Sequence, residues 1–298
     1  MGVVALFVFS LLYISPGDPA AVIAGDIATE ADIARIRAQL GLDQPYFTRF
    51  GTWLLALAHG DLGTSIFTNL PVSRLIGQRI EPTAALTLCT LIVAVGLAVP
   101  LGVLAAARAG GWIDRVVMGI SVLGFSVPVF VIAYGLILLF SIELDWLPVQ
   151  GYASISEGFV PFIRHMILPS IALGLVYMAL IARITRASML DVLAQDYVRT
   201  ANAKGLAPRA VLTRHALKNA AVPIVTIIGI GVALLIGGVV VTETVFAIPG
   251  IGRLTVDAIL RRDYPIIQGV TLLFSALYVI VNLLVDLSYS LFDPRIRY

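Results

Sequence analysis

The sequence predicts an all-α membrane protein with six transmembrane helices, and three observations lead to that fold class. Of the 298 residues, 59% are hydrophobic and only 13% are charged, whereas soluble domains carry roughly 25% charged residues. Five apolar segments each have the length of roughly 20 residues that a helix needs to cross a bilayer. Backbone groups inside lipid must be hydrogen-bonded within their own segment, so these segments should be helical. They lie at about 84–107, 116–140, 167–187, 222–246 and 266–291.

The remaining predicted span is the first along the chain. The apolar run Gly2–Ile14 is too short to cross a bilayer by itself. We interpret residues 1–15 as the outer part of a transmembrane helix whose beginning is truncated. It lacks the charged leader and the small-residue cleavage site of a signal peptide.

The stretch 16–83 is predicted to be a small helical extracytoplasmic region that caps the membrane domain. Short helices are expected there at Glu30–Leu40, beginning after Thr29, and at Phe47–Ala58. Residues 84–298 then form a five-helix transmembrane core with a cytoplasmic loop at 188–222.

Arginine and lysine residues predict the orientation, because short cytoplasmic loops are enriched in them. With the 188–222 loop inside, the cytoplasmic side holds 11 such residues and the opposite short loops hold 4. The 11 are Arg108, Arg115, Arg183, Arg186, Arg199, Lys204, Arg209, Arg214, Lys218, Arg295 and Arg297. The 4 are Arg164, Arg253, Arg261 and Arg262. Both termini are therefore predicted to be cytoplasmic.

The residue patterns of enzymes and nucleic-acid-binding proteins are absent from the sequence. A net charge of +2 gives no argument for a nucleic-acid partner. The three histidines lack metal-ligand spacing, and the single cysteine, Cys89, cannot form an internal disulfide. No Gly-x-x-x-x-Gly-Lys-Ser/Thr phosphate loop occurs. We therefore predict that the chain is no enzyme and binds no metal or cofactor itself. Any energy that drives its movement must then come from a cytoplasmic partner.

The 188–222 loop is the predicted place where that partner acts. An amphipathic helix is expected to end at Gly205, because glycine adopts the left-handed conformation without a Cβ penalty. Pro208 suits the first turn of a second helix. The residues expected on one side of the first helix are Leu190, Leu193, Ala194, Tyr197, Val198 and Ala201. The small residues Ala201, Ala203 and Gly205 would let this elbow enter a partner's cleft, while neighbouring basic groups fix its register. The alternative is a solvated basic loop.

The fifth span carries candidate residues of two kinds. Thr242, Glu243 and Phe246, at its outer end, are candidates for lining a transport pathway. The alternative for Glu243 is a hydrated or paired anchor near a helix end, and the same holds for Asp286 in the sixth span. Small residues recur every four positions on one face of the fifth span. That face packs within the monomer, or forms a subunit interface or pathway wall; its members are Gly229, Ala233 and Gly237.

The loop resembles the cytoplasmic EAA loop of ABC importer permeases, in particular those of the dipeptide/oligopeptide/nickel branch. The matching runs are Asp196-Tyr-Val-Arg-Thr-Ala-Asn-Ala-Lys-Gly-Leu206 and Arg214-His-Ala-Leu-Lys-Asn219 with Pro223. Further matches extend the resemblance over nearly the whole chain. They are Pro16-Gly-Asp-Pro19, Leu40-Gly-Leu-Asp-Gln-Pro45, Gly60-Asp-Leu-Gly-Thr-Ser65, Gly237-Gly-Val-Val-Val-Thr-Glu-Thr-Val-Phe246, Pro249-Gly-Ile-Gly252, Arg262-Asp-Tyr-Pro265 and Asp293-Pro-Arg-Ile-Arg297.

The resemblance implies a type I importer permease in a bacterial inner membrane. Such a chain pairs with a homologous second permease, two cytoplasmic ATPase subunits that bind ATP and Mg²⁺, and an extracytoplasmic substrate-binding protein. The implied ATPase-coupling residues are Tyr197, Arg199, Ala201, Ala203, Lys204, Gly205, Leu206 and Arg209. The chain departs from the general loop pattern at Arg199, where a glutamate is usual, and at His215-Ala-Leu-Lys218, which replaces Ile-x-Leu-Pro.

The substrate expected from this branch is a dipeptide or an oligopeptide. Nickel complexes, glutathione and oligosaccharides are alternatives carried by the same machinery. An ion-coupled secondary carrier is the competing class, but such carriers usually need midplane charges or facing broken helices. The sequence offers neither clearly.

Overall fold

The computed structural model describes residues 2–14, 19–25, 28–39 and 41–292. These residues form helices and loops and no β-sheet. The helices before the chain's midpoint are α1 (Gly2–Ile14), α2 (Pro19–Ala24), α3 (Glu30–Gln39), α4 (Tyr46–Ala58), α5 (Val72–Ala107), α6 (Trp112–Ser126) and α7 (Val129–Glu143). Those after it are α8 (Phe159–Leu193), α9 (Asp196–Ala203), α10 (Pro208–Asn219), α11 (Ala221–Val245), α12 (Ile251–Arg261) and α13 (Tyr264–Phe292).

The membrane helices of the described residues differ in regularity. Three are long and apolar enough to cross a bilayer, namely α5, α8 and α13. Two further candidates are bent pairs: α6 with α7, at 104°, and α10 with the first part of α11, at 62°. The short apolar α1 has 13 residues. The α-helical membrane fold is thus confirmed, whereas the count of six spans stays a prediction.

The predicted span 116–140 is not one straight helix. α6 ends at Ser126, and Val127 is extended, with φ −90° and ψ 125°. The reason is Pro128, because proline disfavours the helical conformation of the residue before it. The helix restarts at Val129, and its last seven residues, Ile137–Glu143, are π-helical.

The spans also extend beyond the apolar runs that predicted them. α5 begins at Val72, inside the stretch that was assigned to the extracytoplasmic region. α8 runs from Phe159 to Leu193, with 35 residues. Polar residues at the ends of both helices hide these extensions from a hydropathy reading.

The chain divides into two compact units. One comprises residues 1–81 and 253–278. Its helix α3 begins at Glu30, as predicted, and α4 begins at Tyr46, one residue before the predicted Phe47. At the start of α3, the backbone N–H of Asp32 contacts the hydroxyl of Thr29, which in turn donates to the Asp32 carboxylate. This reciprocal bonding caps the helix. The hydrogen bonds from Thr29 hold the pKa of Asp32 below its usual value.

The other unit comprises residues 82–252 and 279–298, and α8 lies at its centre. α8 packs against α6, α7 and α11 and buries large apolar side chains such as Met166, Leu173 and Ile181. It also approaches α5 closely at Gly102, where an added Cβ would lie 2.7 Å from the Cβ of Thr185. Small residues at such crossings let helices pack tightly, which is the main attraction between helices within lipid.

Candidate functional site

The candidate coupling site is a short hairpin formed by α9 and the start of α10. The sequence predicted one amphipathic helix from about Leu190 to Gly205, and this is wrong. α8 ends at Leu193, and Gln195 is extended, with φ −73° and ψ 150°. α9 then begins at Asp196 as a separate helix of eight residues. Because of the break, Ala194 is exposed instead of facing the apolar side.

The turn after α9 has the conformation that the sequence predicted. Gly205 has φ +75°, in the left-handed region that favours glycine. Its N–H donates to the carbonyl of Asn202 at 2.9 Å, and the N–H of Leu206 contacts the carbonyl of Ala201 at 3.4 Å. Pro208 opens α10 in the position where its missing N–H has no partner to lose. The glycine stop and the proline restart are therefore confirmed.

The hairpin has a small apolar core of its own. Val198 and Ala201 of α9 pack against Val211 of α10, and Leu193 and Leu206 close the cluster. Ala201 is only 8% exposed. This corrects the expectation that Ala201 enters a partner's cleft, since the residue instead holds the two arms of the hairpin together.

The outer surface of the hairpin carries most of the other predicted coupling residues. Those with exposed side chains or backbone are Tyr197, Arg199, Ala203, Lys204, Gly205 and Arg209, whereas Leu206 is half-buried. Arg199 donates to Asp196 at 3.2 Å, but both side chains are largely in solvent. Such a pair contributes little to stability, so Arg199 remains available to a partner. The exposed surface has small residues at its tip and basic residues around them.

A second apolar cluster connects the hairpin to the membrane helices. In it, Met189 of α8 packs with Ala216, Ala220 and Ile224 around the bend between α10 and α11. The π-helical segment Val211–Ala216 lies directly before this bend. The hairpin is thus packed between the ends of α8 and α11 and does not hang free from them.

An ion pair that sequence reasoning missed joins α8, the helix that leads into the hairpin, to α6. Arg186 of α8 donates to Asp114 of α6 through Nε at 2.5 Å and through Nη2 at 2.6 Å. The same carboxylate accepts the N–H of Gly110 at 2.9 Å. A bidentate pair fixes both distance and orientation. The one signal in the sequence was an acidic residue, Asp114, among basic ones in the predicted cytoplasmic loop.

The three predicted pathway residues lie in the interior of their unit. Thr242, Glu243 and Phe246 are each no more than 2% exposed. The hydroxyl of Thr83 donates to Glu243 Oε1 at 2.6 Å and accepts the N–H of Ile251 at 2.8 Å. Gly250 lies directly against the Glu243 carboxylate. Glu243 is therefore a paired anchor for the turn after α11, as the alternative interpretation held, and it does not face open space here.

The small-residue face of α11 lies in two different environments along its length. Gly229 lies directly against Val285 of α13, where no Cβ could be accommodated without movement. A Cβ on Gly237 would have nothing within 4 Å. Gly229 is therefore required for packing within the monomer, whereas the surface around Gly237 is open to another subunit.

Two of the sequence motifs meet in the unit formed by 1–81 and 253–278. Ser65, which ends the Gly60–Ser65 motif, donates to Asp263 of the Arg262–Pro265 motif at 2.5 Å, and both residues are buried. Parts of three other motifs lie outside the described residues: residues 16–18, Leu40 and the Asp293–Arg297 run. The meeting of Ser65 with Asp263 was not visible in the sequence, because 198 positions separate them.

Comparison with known protein families gives two matches that together span nearly the whole chain. The family described as "Binding-protein-dependent transport system inner membrane component" matches residues 98–298. The family described as "Binding-prot-dependent transport system membrane comp, N-term" matches residues 1–87.

Individual relatives cover the chain end to end. A "Probable peptide ABC transporter permease protein" of Sinorhizobium fredii, y4tP, is 57% identical over 298 residues, which are 100% of this chain and 95% of the relative. A "Putative peptide transport system permease protein" of Brucella abortus is 44% identical with the same coverage. The "Glutathione transport system permease protein GsiC" of Salmonella choleraesuis is 43% identical over 99% of this chain and 94% of its own length.

Among solved structures, the chain is similar to one from the inward-facing MetNI methionine ABC transporter. The TM-score is 0.62 at 17% sequence identity, covering 74% of this chain and 97% of that one. This likeness shows a common fold. The family matches and the relatives show that the chain belongs to the binding-protein-dependent transport system inner membrane components, as a multi-pass permease subunit of an ABC importer and not itself an enzyme.

Proposed function

We propose that this permease forms half of a pathway for dipeptides and oligopeptides and is driven by a cytoplasmic ATPase that grips the α9–α10 hairpin. Its partners would be a homologous second permease, two ATPase subunits that bind ATP and Mg²⁺, and an extracytoplasmic binding protein. The observation that carries the proposal is the hairpin itself. The hairpin has its own apolar core and is joined to the membrane helices on both sides. Its tip is exposed and carries small and basic residues.

Peptides are the substrate class that the relatives favour. The relatives from Sinorhizobium and Brucella carry peptide transport in their names, and the more distant one from Salmonella carries glutathione, itself a tripeptide. Nickel complexes and oligosaccharides remain alternatives for the same machinery. Specificity would depend largely on the binding protein, which presents substrate at the outer face.

The proposed orientation places the hairpin and both termini in the cytoplasm. The distribution of arginine and lysine supports this orientation, as does the need for the hairpin to meet an ATPase that uses cytoplasmic ATP. The candidate pathway residues Thr242, Glu243 and Phe246 would then act indirectly. They hold the turn after α11 in place, and the pathway wall would be formed by surfaces that another subunit completes.

The proposed mechanism is a rigid-body change transmitted through the hairpin. ATP binding would close the two ATPase subunits and draw the hairpins of the two permeases together. Because the hairpin core holds α9 against α10, force on the tip reaches α8 and α11 at once. The ion pair of Asp114 with Arg186 would carry the displacement of α8 to α6.

A single bulky residue at the tip tests this proposal. Ala203→Trp adds an indole on an exposed position, so the chain should insert and fold while the ATPase is excluded. We expect ATP-dependent peptide uptake to be abolished and the ATPase subunits to be lost on co-purification. Ala109→Trp is the matched control, because it makes the same change at an exposed residue of the other predicted cytoplasmic loop. Normal uptake by the Ala203→Trp variant would overturn the coupling assignment.

A further inference from the structure

Helix α4 presents two apolar faces, and only one of them is covered within its unit. Its inner face carries Tyr46, Phe50 and Trp53, whose rings lie 5.3, 5.2 and 5.4 Å from the ring of Phe9 on α1. The outer face carries Phe47, Leu54, Leu55 and Ala58, which recur at helical spacing. Phe47 is 82% exposed, Leu54 44% and Leu55 64%.

The segments before and after α4 both contact the start of α13, so they lie at a similar depth along that helix. The carbonyl of Val8 on α1 contacts Gln268 Nε2 at 3.4 Å. Beyond α4, Ser65 reaches Asp263, and a Cβ on Gly63 would lie 3.8 Å from Pro265. These α13 contacts fall within about two helical turns of one another, around the place where the apolar part of α13 begins. Because the apolar part of a span lies within the hydrocarbon layer, in the proposed orientation this level corresponds to the outer rim of that layer.

The depth of α4 in the bilayer follows from these two sets of contacts with α13. Tyr46, at its start, contacts Ser10 at 2.7 Å and Tyr13, which lie about half a turn and about one and a half turns beyond Val8. Its end leads within a few residues to Gly63, at the same rim. A helix of 13 residues is about 20 Å long, which is shorter than the hydrocarbon core of about 30 Å. It therefore cannot cross the bilayer, and contacts at one level on both sides of it favour a course along the rim.

The polar groups of α4 are arranged as an interfacial helix requires. Arg49 is its only charged residue, and its guanidinium lies 5.0 Å from the ring of Phe9 and 5.4 Å from that of Tyr13. Arg49 also donates to the Tyr13 hydroxyl at 2.9 Å. The outer face is therefore free of charge, as an interfacial helix requires of the face that it buries. Tyrosine and tryptophan are themselves enriched at membrane interfaces.

We propose that α4 lies in the outer head-group boundary of the bilayer and that Phe47, Leu54 and Leu55 contact lipid acyl chains. The apolar surface is continuous with α1, where Leu6, one turn before Phe9, is 45% exposed. Such a helix buries its apolar face about 5–10 Å into the boundary. The region 16–83 is then partly membrane-associated, which goes beyond the role of a cap and does not depend on the substrate or the ATPase.

Fluorescence quenching tests the lipid contact in the transporter complex reconstituted into phosphatidylcholine–phosphatidylglycerol nanodiscs. In a Cys89→Ala background, Phe47→Cys and Leu54→Cys would be labelled with bimane. Thr52→Cys is the matched control, since it is exposed on the same helix but away from the outer face. Acyl chains with a nitroxide near the head group, acyl chains with one near the methyl end, and aqueous iodide serve as quenchers.

We expect the head-group-proximal nitroxide to quench the labels at 47 and 54 at least about twofold more than the label at 52, as an interfacial depth requires. Iodide should quench mainly the label at 52. Iodide quenching at 47 and 54 would refute the proposal, because the face would then be in water. Protection from every quencher would refute it too, since a protein would cover the face. Stronger quenching by the methyl-end nitroxide would mean a deeply inserted helix and would equally overturn it.

Discussion

The bidentate contact between Asp114 and Arg186 shows how two residues can join helices that are distant in the chain. The Asp114 side chain is 6% exposed and that of Arg186 is 26% exposed. A hydrogen bond to a charged group in such surroundings contributes about 1.5–3 kcal/mol. The pair therefore stabilises the contact between α6 and α8 next to the hairpin that α8 carries.

We expect Asp114→Asn to destabilise the protein by about 1–3 kcal/mol, because Arg186 loses its charged partner. The thermal unfolding midpoint of the purified transporter would fall accordingly. Asp196→Asn is the matched control, since Asp196 also pairs with an arginine but is 94% exposed. Exposed pairs contribute about 0–1 kcal/mol. Equal midpoints for the two variants would show that the Asp114 pair is not a structural link.

Single residues also mark where prediction from sequence succeeded and where it could not. The stop at Gly205 was predictable because one residue type suits its backbone conformation. The pairing of Asp114 with Arg186 was not, since 72 positions separate the partners and neither belongs to a local pattern. Glu243 stood out as an intramembrane carboxylate, but only the fold shows that Thr83 and Gly250 surround it.

At the scale of elements, breaks in helices were harder to predict than the helices themselves. The bend between α6 and α7 carried a signal in Pro128, which the continuous apolar run concealed. The break at Ala194 and Gln195 had no glycine or proline to mark it. It follows from the packing of Val198 and Ala201 against α10. Tertiary contacts decided the second case, and local sequence could have decided the first.

The turn between α9 and α10 allows a backbone test of coupling. Proline fixes φ near −65°, so Gly205→Pro is incompatible with the φ of +75° observed there. We expect this variant to insert into the membrane but to lose ATP-driven uptake. Uptake assays should be combined with co-purification of the ATPase.

Ala207→Pro is the control for that substitution. Ala207 has φ −58°, which proline can adopt, and no hydrogen bond from its N–H is seen among the described residues. This variant should keep most of its uptake. Loss of uptake in both variants to the same degree would mean that any proline in the loop is harmful and that the geometry at Gly205 has no special role.

At the scale of the whole molecule, hydropathy predicted the fold class and the approximate positions of five spans. The helical ends of α5 and α8 lie in polar sequence and could not be found in this way. The number of spans and their orientation depend on where the bilayer lies relative to the helices. A labelling experiment can decide the orientation.

We expect a membrane-impermeant maleimide added to intact cells to label Gln44→Cys but not Lys204→Cys, in a Cys89→Ala background. Both positions are exposed in the structure, so accessibility within the protein does not differ between them. Permeabilised cells that lack the ATPase subunits should label both, since no partner then covers Lys204. Labelling of Lys204→Cys in intact cells would place the hairpin outside and contradict the proposed orientation.

The length of α8 has a consequence for how far a movement can travel. With 35 residues, it is about 52 Å long, whereas the hydrocarbon core measures about 30 Å. A rod of that length acts as a lever. Tilting it by about 10° about its midpoint shifts each tip by roughly 4–5 Å, in opposite directions. A modest push on one side of the bilayer could thus open a gap on the other, without any helix having to unfold.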